Sequence, residues 1–232
     1  MTETPLAGQT ILVTGASRGI GAATAARAAA MGATILRVAR SAMPRLERAV
    51  DLPADLADPR ERTAVLQQIA RHHGVPDVVI SNAGGFLLAP VEEASDALLR
   101  EQLAINLEAP FAIARAFLPA MRDRGNGVHV VVGSVADWRP LPGNAAYAAS
   151  KYGVRGMHEV LVEEYRGSGV RCTLISPGPT DTAAWDPVDP DHRPGFTPRA
   201  EMLRPDDVAD AVLYAITAPR HVHVEWIRLG PA

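Results

Sequence analysis

The stretch from Thr10 to Met31 constrains the fold more than any other. A short apolar run, Thr10-Ile11-Leu12-Val13, passes directly into Thr14-Gly15-Ala16-Ser17-Arg18-Gly19-Ile20-Gly21, and a helical segment, Ala22 to Met31, follows at once. Strand, glycine-rich turn and helix in this order open a βαβ unit of a parallel sheet. The glycines let the backbone come close to a bulky anion, and the helix start offers unpaired N–H groups and the positive end of its dipole. The pattern therefore predicts a dinucleotide-phosphate cradle made by Gly15, Ser17, Arg18, Gly19, Ile20 and Gly21, with a simple tight turn as the alternative.

The rest of the chain repeats the alternation. Apolar runs at Thr34–Ala39, Ala49–Leu56, Val78–Ile80, Val128–Val132, Val170–Ile175 and His221–Leu229 read as strands. Helical spacing occupies Arg60–His73, Ala94–Met121, the segment through Val154 and Leu161, and Pro205–Ile216. This predicts an α/β fold, a Rossmann-type doubly wound parallel sheet of about seven strands with helices on both faces. All 232 residues fit one domain. Within it, residues 183–204 are rich in Pro, Asp and Arg, carry Trp185 and Phe196 and lack periodicity, which suggests a substrate lid.

The second strand ends Ala39-Arg40, where an NAD-preferring site would present an acid to the ribose. Arg40, with Arg18 nearby, can instead meet a 2′-phosphate, so NADP is the expected cofactor; the plainer reading makes Arg40 the start of a solvated loop. Asp55, followed by Leu56, stands where a carboxylate can accept from an adenine amino group, or it caps the helix beginning near Pro59. Arg37, in mid-strand, is expected only to snorkel to an edge. The fourth strand stops at Ser81-Asn82-Ala83-Gly84, small residues at the ligand-binding end of a parallel sheet. Asn106 interrupts a long helical pattern, which predicts a kinked helix with a water-binding Asn.

Tyr147 and Lys151 stand four residues apart on a helical stretch, so their heads share one face. An ammonium close to a phenol favours the phenolate and would lower the tyrosine pKa, making it a usable general acid or base. The pair also arises by chance on solvated helix faces, so its meaning depends on its surroundings.

Composition narrows the partners. A net charge of −3, with acids and bases interspersed, provides no basic stripe for nucleic acid or an anionic membrane. The single Cys172, inside an apolar run, precludes an internal disulfide framework, reads as a buried thiol and fits a cytoplasmic location. Met1 to Pro5 shows no leader pattern, no run of about 18 apolar residues occurs, and no carboxylate pattern points to a metal.

From about Gln9 to Leu229 the chain resembles the short-chain dehydrogenase/reductase family. The matching pieces are Thr14-Gly15-x-x-x-Gly19-x-Gly21, Asn82-Ala83-Gly84, Asn106, Ser134, Tyr147-x-x-x-Lys151 and Pro177-Gly178-x-x-x-Thr182, in the family's order. The resemblance implies an NADP(H)-dependent oxidoreductase interconverting a carbonyl and an alcohol by hydride transfer. In it Tyr147 is general acid or base, Ser134 holds the substrate oxygen, and Lys151 both tunes Tyr147 and binds the nicotinamide ribose. Asn106 positions a relay water; Pro177, Gly178, Thr180 and Thr182 border the carboxamide. A non-catalytic NADP sensor on the same fold is the alternative. The resemblance also implies a homo-oligomer, dimer or tetramer, with Ala112, Ile113, Phe117, Val154, Met157 and Leu161 either forming its interface or facing the sheet. Aromatic loop residues suggest a partly aromatic substrate pocket, and His192 or Arg193 could meet a carboxylate.

Overall fold

The computed structural model describes residues 4–232; the leader reading at Met1 to Glu3 lies outside them. Seven parallel strands form one sheet in the order β3-β2-β1-β4-β5-β6-β7. They are β1 (Thr10–Thr14), β2 (Thr34–Ala39), β3 (Ala49–Pro53), β4 (Val78–Ser81), β5 (Gly127–Val132), β6 (Val170–Pro177) and β7 (Trp226–Leu229). The sheet is Rossmann-like. Its order reverses between β1 and β4, which leaves a crevice beyond their carboxyl ends, where Gly15 and Asn82 lie.

Helices cover both faces because both faces of the strands are apolar. On one side α1 (Gly19–Ala30) and α6 (Pro205–Thr217) pack Ala25, Ala28, Val208 and Val212 onto Ile11, Val13 and Ile80. On the other, α2 (Pro59–His72), α4 (Ala109–Arg124) and α5 (Ala145–Glu164) cover Leu12, Leu36 and Val79. Cys172 is buried there, and burial pushes its thiol up to about 12, so it packs as an inert small hydrophobe.

The long helical run is three pieces: α3 (Asp96–Leu103), a π-helical turn at Ala104–Glu108 that contains Asn106, and α4. By length and hydropathy Asp96–Arg124 could cross a membrane, which the residue pattern had not suggested. Here Ile113, Phe117, Leu118 and Met121 are fully buried against the sheet, as expected of a core helix. The same placement turns the residues considered for an interface inward: Ala112, Ile113, Phe117 and Val154 face the core, while Phe111, Tyr152 and Val160 stand exposed on α4 and α5.

Two further expectations change. Arg37 does not snorkel. It is buried on β2 and donates from Nε and Nη2 to both carboxylate oxygens of Asp51 on neighbouring β3, at 2.7 and 2.9 Å. Asp51→Ala leaves that guanidinium unpaired beneath the sheet edge, and urea unfolding should show a loss of about 1–3 kcal/mol. The last strand begins at Trp226 rather than His221, because His223 turns back and its Nε2 lies against the backbone N–H and carbonyl of Cys172.

Candidate active site

The crevice is built first from the glycine turn. Gly15 and Gly19 have φ of +67° and +58°, values that only glycine adopts without strain. A side chain on Gly15 would meet the Ala83 backbone at 2.8 Å, and one on Gly21 would run into the Gly15 carbonyl and the Asn82 amide. Gly21 thus serves close packing behind the turn. Asn82 fastens the turn to β4: its Nδ2 donates to the carbonyls of Thr14 (2.9 Å) and Gly15 (3.3 Å), and its own N–H reaches Thr14 Oγ1 at 3.0 Å. Arg18 supplies no side-chain cap to α1, so the first-turn N–H groups face the cleft without a capping acceptor.

That cleft, about 220 Å³, is walled by Ser17, Arg18, Gly19 and Ile20 on one side and by Ala83, Gly84 and Thr182 on the other. Arg40, Asp55 and Leu56 close its far end. Asp55 does not cap α2; Asp58 does, accepting from the N–H groups of Arg60 (2.7 Å) and Glu61 (3.1 Å). Asp55 instead lies 3.5 Å from Arg40, whose side chain is 71% exposed and open to a further anion.

A second cavity, about 210 Å³, shares Ile20, Asn82, Gly84 and Thr182 with the first and continues from it. Asn106, Ser134, Tyr147, Lys151, Pro177, Gly178 and Thr180 all border it. Every residue expected to bind the cofactor or take part in the chemistry, except Gly21, therefore borders one of two adjoining cavities. Ser134 follows β5, Tyr147 and Lys151 lie one turn apart near the start of α5, and Pro177 ends β6.

The electrostatics differ from the sequence expectation. Burial pushes the Tyr147 phenol up to about 12, against the Ser134 hydroxyl, which pulls it down, and with the Asp137 carboxylate adding to the rise. Burial draws Lys151 down to about 8, with Asp137 opposing. The ammonium donates to the Val132 carbonyl at 3.0 Å and sits 5.7 Å from the Tyr147 ring centre. Burial of the phenol therefore outweighs what the neighbouring ammonium contributes, and the tyrosine is raised rather than lowered.

Asn106 also differs. Its Oδ1 accepts from the Gly85 N–H (3.0 Å), while Nδ2 donates to the Gly85 carbonyl (3.0 Å), Gln102 Oε1 (3.3 Å) and Ser150 Oγ (3.1 Å). The amide holds protein, which leaves little for a water. Pro110 has no N–H, so a carbonyl one turn earlier, at Ile105 or Asn106, loses its helical donor; a water has that backbone acceptor available.

Two supporting residues escaped the sequence reading. Ser150 receives the Asn106 amide and donates to the Tyr147 carbonyl at 2.7 Å, tying the π turn to the helix that bears the tyrosine. Asp137 is fully buried beneath Ser134. Its Oδ2 accepts from the Ser134 N–H (3.0 Å) and Ser176 Oγ (2.7 Å), and Ser176 in turn accepts from Trp226 Nε1 (2.8 Å). The Ser134-Val135-Ala136-Asp137 spacing is a capping-box signature, a signal present in the sequence.

The glycine cradle, the uncapped helix start and the exposed Arg40 fit a dinucleotide cofactor. Comparison with known proteins agrees. Residues 9–193 match the family model for short chain dehydrogenases. A D-threitol dehydrogenase of Mycolicibacterium smegmatis is 35% identical over 223 residues, covering 90% of this chain and 86% of that protein. A metagenomic short-chain oxidoreductase solved in complex with NADP superposes with a TM-score of 0.81 at 30% identity, covering 98% and 99% of the two chains. A protein assigned as an NAD(P)-dependent gluconate 5-dehydrogenase of Beutenbergia cavernae, carrying NADP at low occupancy, gives 0.83 at 31% identity, with coverage of 97% and 96%. The chain belongs to the short-chain dehydrogenase family of oxidoreductases.

Proposed function

We propose that the chain interconverts a carbonyl and an alcohol using NADP(H), with Tyr147 delivering or removing the proton. The observation that carries this reading is the convergence of Ser134, Tyr147 and Lys151 on one cavity continuous with the glycine cleft. The cofactor would be held by the Gly15–Gly21 turn, Arg40, Asn82, Lys151 and Thr182, and when bound would supply or accept the hydride. The chain's own part is placement and proton transfer. Ser134 holds the substrate oxygen beside the phenol, Tyr147 donates its proton in the reductive direction, and Lys151 offsets the charge left behind. The free phenol is protonated at neutral pH, the form that donates in the reductive direction. Residues 183–204 are the segment we assign to covering the substrate.

Carbonyl-dependent loss of NADPH absorbance by the purified protein tests the reading. A protein that only senses NADP would bind it and leave a broad panel of aldehydes and ketones untouched. Cofactor choice is tested at Arg40: Arg40→Asp removes a charge-assisted partner of the 2′-phosphate and adds a repulsive carboxylate. The ratio of kcat/KM for NADPH over NADH should fall about 10–10²-fold. A wild-type preference for NADH would overturn the assignment.

We also propose self-association through the outer faces of α4 and α5, where Phe111 and Val160 are more than half exposed. Light scattering at micromolar concentration should give a dimer or tetramer, and Val160→Glu should shift it toward monomer.

A further inference from the structure

The second cavity opens outward into a larger groove of about 550 Å³, with which it shares Phe86, Val135, Leu141, Asn144, Pro179 and Trp185. Its wall is a ladder of aromatic rings that starts at the phenol itself. Phe86 meets Tyr147 edge-on at 5.0 Å and 74°, Trp185 meets Phe86 at 4.8 Å and 61°, and Phe196 meets Trp185 at 6.1 Å and 74°. Edge-to-face rings of this kind leave π faces and edges for one more ring. Leu88, Leu141, Pro142 and Pro179 supply the remaining apolar lining.

Polar side chains gather in the inner cavity, and fewer line the outer groove. Among the described residues no acidic side chain borders either space, and the only cations are Lys151 inside and Arg139 at the exposed outer rim. The cations of the covering segment have protein partners of their own. Arg199 donates to Asp181 and Asp186, both at 2.6 Å. Arg193 stacks 5.1 Å over Phe196, and His192 sits 2.9 Å from Asp189, 82% exposed to water. With these partners in place, the expectation that His192 or Arg193 meets a substrate carboxylate is tested by pyruvate below. Along this groove a polyhydroxylated substrate would find the Asn144 amide, Thr197 and, at the rim, Arg139 as side-chain partners, and each hydroxyl buried without one is costly.

Resting on the proposed carbonyl–alcohol chemistry, we infer that the substrate is an uncharged carbonyl compound bearing an aromatic ring, placed on the ladder of Phe86, Trp185 and Phe196 while its carbonyl meets Ser134 and Tyr147. This sets the chain apart in substrate class from the threitol and gluconate activities named for its relatives.

The test compares kcat/KM with NADPH for benzaldehyde and acetophenone against dihydroxyacetone and pyruvate, in wild type and in Trp185→Ala and Phe196→Ala. Benzaldehyde or acetophenone should exceed both polar carbonyls by about 10²-fold, and each variant should reduce that ratio about 10-fold. Both rings lie on a half-buried surface segment, so the variants retain the sheet and its core. NADP binding by intrinsic fluorescence is followed in parallel. Faster turnover of dihydroxyacetone or pyruvate, or equal losses on all carbonyls in both variants, overturns the aromatic assignment while leaving the oxidoreductase reading intact. Binding of NADP with no turnover of any carbonyl overturns both.

Discussion

Tyr147→Phe should reduce carbonyl-dependent NADPH oxidation by about 10²–10⁴-fold, the usual scale for a positioned general acid, with NADP affinity retained. The substitution removes one oxygen and little else. The ring keeps its edge-on packing against Phe86 at 5.0 Å, and the Ser150 bond goes to the Tyr147 backbone carbonyl, which every residue has. The glycine cleft is built by other residues, so a binding measurement separates loss of chemistry from loss of fold. The effect should fall mainly on kcat, since the missing proton matters in the transition state more than in the bound complex. Unchanged turnover would remove Tyr147 from the reaction and return the Tyr–Lys spacing to a coincidence of helix geometry.

The sheet was legible because its signals are local. Short β-branched runs alternating with amphipathic segments specify a parallel sheet with covered faces, and the glycine turn marks where its order reverses. Some crevice residues were legible for a related reason: the glycine turn and Asn82-Ala83-Gly84 are small or polar groups at the ends of buried strands, whereas Ser134, Thr182 and a site role for Asn106 were marked by the family resemblance. What stayed hidden depends on partners distant in sequence. Arg37 reads as anomalous until β3 is placed beside β2 and Asp51 comes opposite it. Asn106 stands out in a helical pattern, but that its amide reaches the Gly85 backbone and Ser150 shows only once those segments are brought together. The phenol pKa could not be inferred from Lys151 alone, because burial by Phe86 and the surrounding loops outweighs a single charge that the Val132 carbonyl holds.

That balance makes Lys151 the group that first limits the site as pH rises. Its ammonium gives up its proton near pH 8 while the phenol holds its own to about 12. In the proposed reduction Tyr147 becomes a phenolate as its proton leaves, and the ammonium, 5.7 Å from the centre of the ring that shares this charge, stabilises it. Two unit charges at that separation interact by roughly 3 kcal/mol at an effective dielectric of about 20, which is about two pKa units, or 10²-fold in rate. Lys151→Met should therefore lower kcat/KM for carbonyl reduction about 10²-fold at pH 7. The wild-type profile should fall above an apparent pKa near 8, as the lysine becomes neutral, rather than staying level until the phenol ionises. Lys151→Arg keeps its charge across this range, so whatever its absolute rate, its profile should lack the fall near pH 8. A wild-type profile flat to pH 10, or an arginine variant with the same limb, would show that Lys151 serves the site by shape and hydrogen bonding and not by its charge.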